Sequence, residues 1–200
     1  MIESRLFSFI RQRTRHLSYV VLFSALSCTA CHVHAQETRQ QEWAESLEKS
    51  QNLFRITPTF FRSAQLKSKD VALLQSLGIK TVVSLRSFHS DETVLKNSGI
   101  KLKRIRINTW DIDDKKIIAA LRAVREAEKD GPVLLHCMHG ADRTGLVSAM
   151  YRMVYQNWNK EQASDELMNG GYGYHSMWKN IPSYIRKVEI EKIPAQAELD

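Results

Sequence analysis

The stretch "PVLLHCMHGADRTGLVSAM", Pro132 to Met150, sets a short apolar run against a Cys, a Gly, an Arg and a Thr, and then against a helical pattern. Pro132 to Leu135 reads as a buried strand, too short for a helix and closed by a turn-like loop. Leu146, Met150, Met153 and Val154 recur at helical spacing, which predicts a helix from near Arg143 to about Gln156. Cys137 therefore falls at a strand end, below a helix N-terminus.

That position carries chemistry. The first N–H groups of a helix have no internal partner, and the helix dipole places partial positive charge there. An anion is favoured at such a place, and the same field favours a thiolate over a thiol, which makes Cys137 a candidate nucleophile. Six residues on, Arg143 offers a planar fork that can hold two phosphate oxygens at once. Gly140 can adopt backbone angles closed to other residues, so that N–H groups turn inward as an anion-binding nest. Thr144 supplies a hydroxyl able to hydrogen-bond the sulfur and ease its departure as a leaving group.

The segment H-C-M-H-G-A-D-R-T-G resembles the signature H-C-x-x-G-x-x-R-[ST]-G of cysteine-dependent protein tyrosine and dual-specificity phosphatases. "LFRITPTFFRSAQL", "LGIKTVVSLRS" and "GGYGYH" are similar to the small bacterial, often exported, branch of that superfamily, so the likeness runs from about Leu53 to Tyr184. The resemblance implies a phosphate bound by Met138, His139, Gly140, Ala141, Asp142 and Arg143. It implies His136 as a support that orients the loop from behind, and Asp142 turned away to hold the loop's shape. It also implies an Asp general acid on a loop after a strand, some tens of residues before the cysteine. "NTWDIDD" offers Asp111, Asp113 and Asp114. Asp114 is placed to cap the next helix, and Asp111, beside Trp110, is preferred as the acid, in a partly desolvated position. His139 is a candidate for added positive charge, Arg86 for a second phosphate contact, and "GGYGYH" for either the cleft rim or a packed connection.

Outside the loop, strands are expected at Leu53–Ile56, Phe60–Ser63, Thr81–Leu85, Leu102–Ile107 and Val133–His136. Helices are expected at Lys69–Leu77, ended by Gly78, and at Asp114–Lys129, stopped by Asp130-Gly131-Pro132. Helices follow the loop to about Lys187. Strands alternating with helices imply a single α/β domain, a central mostly parallel sheet flanked by helices, with ligands beyond the strand carboxyl ends. Lys101, Lys103, Arg104 and Arg106 alternate with apolar residues and read as the solvated face of a strand.

Two hundred residues with 43% apolar content suffice for one domain with a proper core. Arg5, Arg11, Arg13 and Arg15 precede the uncharged apolar run Leu17–Ala30, the pattern of a signal peptide, with cleavage expected after Ala35. A retained anchor is the alternative, but the run is shorter than the ~20 residues a spanning helix needs. Lipidation at Cys28 or Cys31 lacks the usual Leu three positions earlier. The expected organisation is a signal peptide over 1–35, a flexible segment over 36–51, a phosphatase domain over 52–188 and a tail over 189–200. Of three cysteines only Cys137 would then remain in a periplasmic protein, safe from an intramolecular disulfide.

The net charge is +7, and four arginines against Glu3 place +3 of it in residues 1–35. The remaining +4 attracts phosphorylated substrates, but no dense basic or aromatic-interleaved stripe suggests nucleic acid. No His, Cys or acidic cluster has metal-ligand spacing, so no metal and no cofactor is expected. The expected function is an exported monomeric phosphatase of phosphotyrosine proteins, with phosphoserine and phosphothreonine left open, acting through a phosphocysteine. An inositol phosphate or phosphoinositide phosphatase is the alternative, although Met138 and Ala141 stand where those branches tend to place Lys. A non-catalytic phospho-binding module is a further alternative.

Overall fold

The computed structural model describes residues 40–193. The signal-peptide region with Cys28 and Cys31, and the end of the chain from 194, lie outside the described residues. Six strands, β1 (Glu45–Glu48), β2 (Leu53–Arg55), β3 (Phe60–Ser63), β4 (Thr81–Ser84), β5 (Lys101–Arg104) and β6 (Val133–His136), form one sheet in the order β1-β2-β3-β6-β4-β5. β3, β6, β4 and β5 run parallel, and β2 and β1 extend the β3 edge in antiparallel fashion. The helices are α1 (Val71–Ser76), α2 (Glu92–Leu95), α3 (Asp114–Glu128), α4 (Asp142–Tyr155), α5 (Lys160–Asn169) and α6 (Asn180–Lys187).

β4 and β6 read as unbroken apolar runs because both faces of the central strands are covered. Val83, Leu135 and Phe60 point to one side, into a core shared with α3, α4 and α6. Val82, Leu134 and Phe61 point to the other, against α1 and the residues around Leu95 and Ile100. This is the α/β architecture expected from the sequence, with β6 at its centre and Cys137 directly beyond its carboxyl end.

Several boundaries differ from the sequence reading. The expected helix over Lys69–Leu77 is a 3-10 turn, Ser68–Asp70, followed by α1, with the Asp70 carboxylate accepting the Lys67 N–H at 2.8 Å. β5 stops at Arg104 instead of Ile107, although the N–H groups of Ile105 and Ile107 still reach the carbonyls of Ser84 and Leu85. Lys101 and Lys103 on this edge strand pair with Asp130 and Glu126. Helix α3 is capped by Asp113, not Asp114: the Asp113 Oδ1 accepts the Lys116 N–H at 2.8 Å.

The segment expected to be flexible holds β1 and a 3-10 turn at Lys49–Gln51. Just before β1, Ala44 is buried and its N–H donates to Glu166 Oε1 at 2.7 Å, so a buried carboxylate ties this segment to α5. The expected tail also begins too early, because Ile193 is 1% exposed and packs into the larger core beside Val188.

Candidate active site

The loop between β6 and α4 is shaped from outside. Four successive carbonyl oxygens each accept a hydrogen bond from a different neighbour. His136 Nδ1 meets Cys137 O at 3.0 Å, Gln65 N–H donates to Met138 O at 3.0 Å, Asn52 Nδ2 to His139 O at 2.8 Å, and Arg62 Nη2 to Gly140 O at 2.6 Å. With the carbonyls drawn outward, the peptide N–H groups face the loop interior, which is how a backbone nest for an anion is built. Gly140 has φ +71, and a Cβ there would lie 2.5 Å from Ser63 O and 2.6 Å from Ala64 N. Only glycine fits.

The donors are themselves fixed. Arg62 is fully buried, with its guanidinium 3.5 Å from the centroid of the Tyr172 ring. Asn52, in a left-handed conformation, donates to Tyr172 O at 2.9 Å as well as to His139 O, and so clamps the phosphate loop to the Gly170–His175 turn. The two readings of "GGYGYH" thus merge, since Tyr172 packs inside while His175 reaches the loop. His175 N–H donates to Asp142 Oδ1 at 2.9 Å, and His175 Nδ1 lies 2.8 Å from Asp142 Oδ2. Asp142, at the first turn of α4, points away from the nest and holds this turn.

Behind the loop, His136 Nε2 lies 3.0 Å from Asp91 Oδ2, and both side chains are buried. Burial pushes the Asp91 carboxyl up, but the hydrogen bond and charge of His136, with Ser84 and Arg86 adding to them, hold it below the usual carboxylate range. The ring is held at both nitrogens, by Asp91 through Nε2 and by the Cys137 carbonyl through Nδ1.

Cys137 is a free, buried cysteine at 2% exposure. Arg143 is half-buried, its Nη1 donating to Leu85 O at 3.4 Å and Ile107 O at 3.2 Å. One corner of the fork is anchored on the ends of two strand connections, leaving the Nε and Nη2 edge for a ligand. Thr144 is fully buried and its hydroxyl makes no hydrogen bond.

The three acid candidates differ sharply. Asp113 is the helix cap, and Lys116, through side-chain and backbone hydrogen bonds, holds its carboxyl below the usual range. Asp114 accepts the Tyr184 hydroxyl at 2.7 Å, and burial, with this hydrogen bond adding to it, pushes that phenol upward. Asp111 has a side chain 56% exposed and one ion pair, 3.0 Å to Lys116 Nζ, so the partial desolvation expected for it is not present. It sits on a tight turn closed by a bridge to Asn108. Exposed apolar side chains follow the carboxyl ends of three parallel strands: Phe88 after β4, Trp110 after β5 and Met138 after β6. Trp110 stacks at 6.4 Å on Trp178, next to exposed Met177.

Of these residues, sequence reasoning missed Asn52, Arg62, Gln65, Asp91 and Lys116. Each acts on the loop or the acid turn from a distant part of the chain, and none carries a local motif.

A sheet of this order, with a nest of this construction at the end of its central strand, defines a protein-tyrosine/dual-specificity phosphatase. The tyrosine phosphatase family profile matches residues 47–181, and the chain belongs to that family. It is 38% identical over 162 residues to the dual specificity protein phosphatase TpbA of Pseudomonas aeruginosa, covering 80% of this chain and 74% of the relative. The crystal structure of P. aeruginosa TpbA superposes with a TM-score of 0.76 at 37% identity, over 80% of this chain and 99% of that one. A structure of TpbA in complex with pTyr gives 0.75 at 36% identity, over 80% and 98%. Inositol diphosphatase DSP2 of Oryza sativa is 30% identical over 126 residues, 59% of this chain and 61% of that protein.

Proposed function

We propose that the enzyme hydrolyses phosphotyrosine in exported proteins through a phosphocysteine, as a monomer in the periplasm. The four carbonyls drawn outward around Gly140 support this most directly, because they create an anion site against which Cys137 is placed. The Cys137 sulfur attacks phosphorus while Arg143 holds two phosphoryl oxygens, and the bond from phosphorus to the tyrosyl oxygen breaks. Asp111 gives that oxygen its proton. Asp111 then takes a proton from the water that attacks the phosphocysteine, and the Thr144 hydroxyl turns to the departing sulfur. Asp113 and Asp114 are committed to the helix cap and to Tyr184, which leaves Asp111 as the acid.

The apolar rim favours a phosphorylated aromatic side chain in a polypeptide over an inositol polyphosphate. A polyanion calls for several cations at the mouth, whereas Phe88, Trp110, Met138 and Met177 are exposed here. Comparing kcat/KM on phosphotyrosine, phosphoserine and phosphothreonine peptides with that on inositol phosphates tests this reading. Preference for the phosphotyrosine peptide is expected, and preference for the inositol phosphate overturns it. Export is supported by the basic and apolar pattern of residues 1–35, and the protein recovered from a Gram-negative periplasm should begin near Gln36.

A further inference from the structure

The fold joins three metal-ligating side chains that the sequence keeps apart. His139 lies in the phosphate loop, Asp142 opens α4, and His175 ends the glycine-rich turn, with one ligand atom of each lying within 4.8 Å of the others. The two imidazole rings are 5.1 Å apart between centroids. The carboxylate is buried, and its Oδ1 is held by the His175 N–H while Oδ2 faces His175 Nδ1. Asn52 fixes the two backbones that carry the histidines, through His139 O and Tyr172 O. Neither Cys137 nor Asp111 is one of the three ligands, and the chemistry above does not use His175.

We propose that His139, Asp142 and His175 form a binding site for a divalent ion of the Zn²⁺ class beside the phosphate loop. Two imidazole nitrogens and one carboxylate oxygen suit Zn²⁺, Cu²⁺ or Ni²⁺, whereas Mg²⁺ and Ca²⁺ call for oxygen sets. The ion lies between Asp142 Oδ2 and His175 Nδ1, forming a bond to each, with His175 bound as the neutral imidazole and its one remaining N–H on Nε2. His139 swings in as the third ligand. Bond lengths of about 2.0–2.2 Å require the rings to close inward, which two exposed side chains can do. The fourth position faces solvent and is filled by water or a phosphate oxygen. Asp142 Oδ1 keeps its backbone N–H and orients the carboxylate. A bound ion thereby pins the Gly170–His175 turn to the loop that carries the nucleophile, acting on the pocket wall and not on the bond-breaking step.

The test uses untagged protein with Cys28, Cys31 and Cys137 all replaced by Ser, so that no thiolate competes, titrated with ZnCl₂ by calorimetry and by thermal unfolding. The expected result is one ion per chain, a raised Tm, and affinity that falls on acidification because protons compete with the ion for its ligands. His139→Ala and His175→Ala, introduced separately into that protein, should each weaken binding by about ten-fold or more. Mg²⁺ and Ca²⁺ should leave the Tm unchanged. The proposal is overturned if the parent binds no Zn²⁺, if either alanine variant binds Zn²⁺ as tightly as the parent, or if Mg²⁺ raises the Tm equally.

Discussion

Asp91 and His136 form a buried hydrogen-bonded pair, 3.0 Å from Oδ2 to Nε2, directly behind the strand end that presents Cys137. The pair joins the turn before α2 to the central strand, and through His136 Nδ1 it fixes the Cys137 carbonyl. Its carboxylate lies 45 residues upstream in a stretch with no motif of its own.

Removing one partner of such a pair leaves the other uncompensated. Asp91→Ala should destabilise the protein by about 1–3 kcal/mol, because a buried ring nitrogen of His136 is left without its partner. Asp91→Asn keeps an acceptor and should cost less. Urea unfolding measures both, and a wild-type midpoint for Asp91→Ala contradicts the reading.

Gly140→Ala drives a methyl group into the backbone of Ser63 and Ala64, which are fixed by β3. The loop must move, and a shift of this size should lower kcat/KM by about a hundredfold. Vanadate affinity should fall in parallel. An unchanged vanadate affinity would show that the nest tolerates a side chain there.

Acid should unfold the protein through two buried carboxylates. Burial pushes Glu166 up, but the Arg152 fork, the Ala44 N–H and the Tyr172 hydroxyl outweigh it and hold it below the usual range. Asp91 is held low by His136. Both folded values lie below the unfolded ones, so their contribution is complete above about pH 5 and is lost as pH falls below about 4. Urea midpoints should be flat from about pH 5 to 7 and drop below that, and Glu166→Gln should shrink the drop. A drop of wild-type size in Glu166→Gln counts against the assignment.

Asp111→Asn should slow cleavage of phosphotyrosine peptides by about 10²–10⁴, with a smaller loss on an aryl ester whose leaving group departs without full protonation. Vanadate binding should be nearly intact, since Arg143 and the backbone supply it. If Asp111→Asn behaves as wild type and Asp113→Asn or Asp114→Asn shows the leaving-group dependence, the acid is that residue.

The run from Pro132 to Met150 was legible because strand, loop and helix there are local and each residue type has one strong physical reading. The sheet followed from the alternation of apolar segments. The cap was misplaced by one residue, Asp113 for Asp114, because two adjacent aspartates satisfy the same rule and only the backbone angle at 113 decides. Residues 44–51 looked free because their partners, Leu53–Arg55 and Glu166, follow later in the chain. The same holds for Asn52, Arg62 and Asp91, whose roles arise only when distant segments meet. His139, Asp142 and His175 have no metal-ligand spacing in sequence and become neighbours only through the fold.

In the proposed mechanism Cys137 takes the phosphoryl group. Rapid acid quench of the enzyme during turnover of a phosphotyrosine peptide, followed by peptide mass spectrometry, tests it directly. A transient phosphoryl adduct is expected on the peptide containing Cys137, with neither adduct nor turnover in Cys137→Ser. Turnover at the wild-type rate in Cys137→Ser, or an adduct on a different residue, would contradict it.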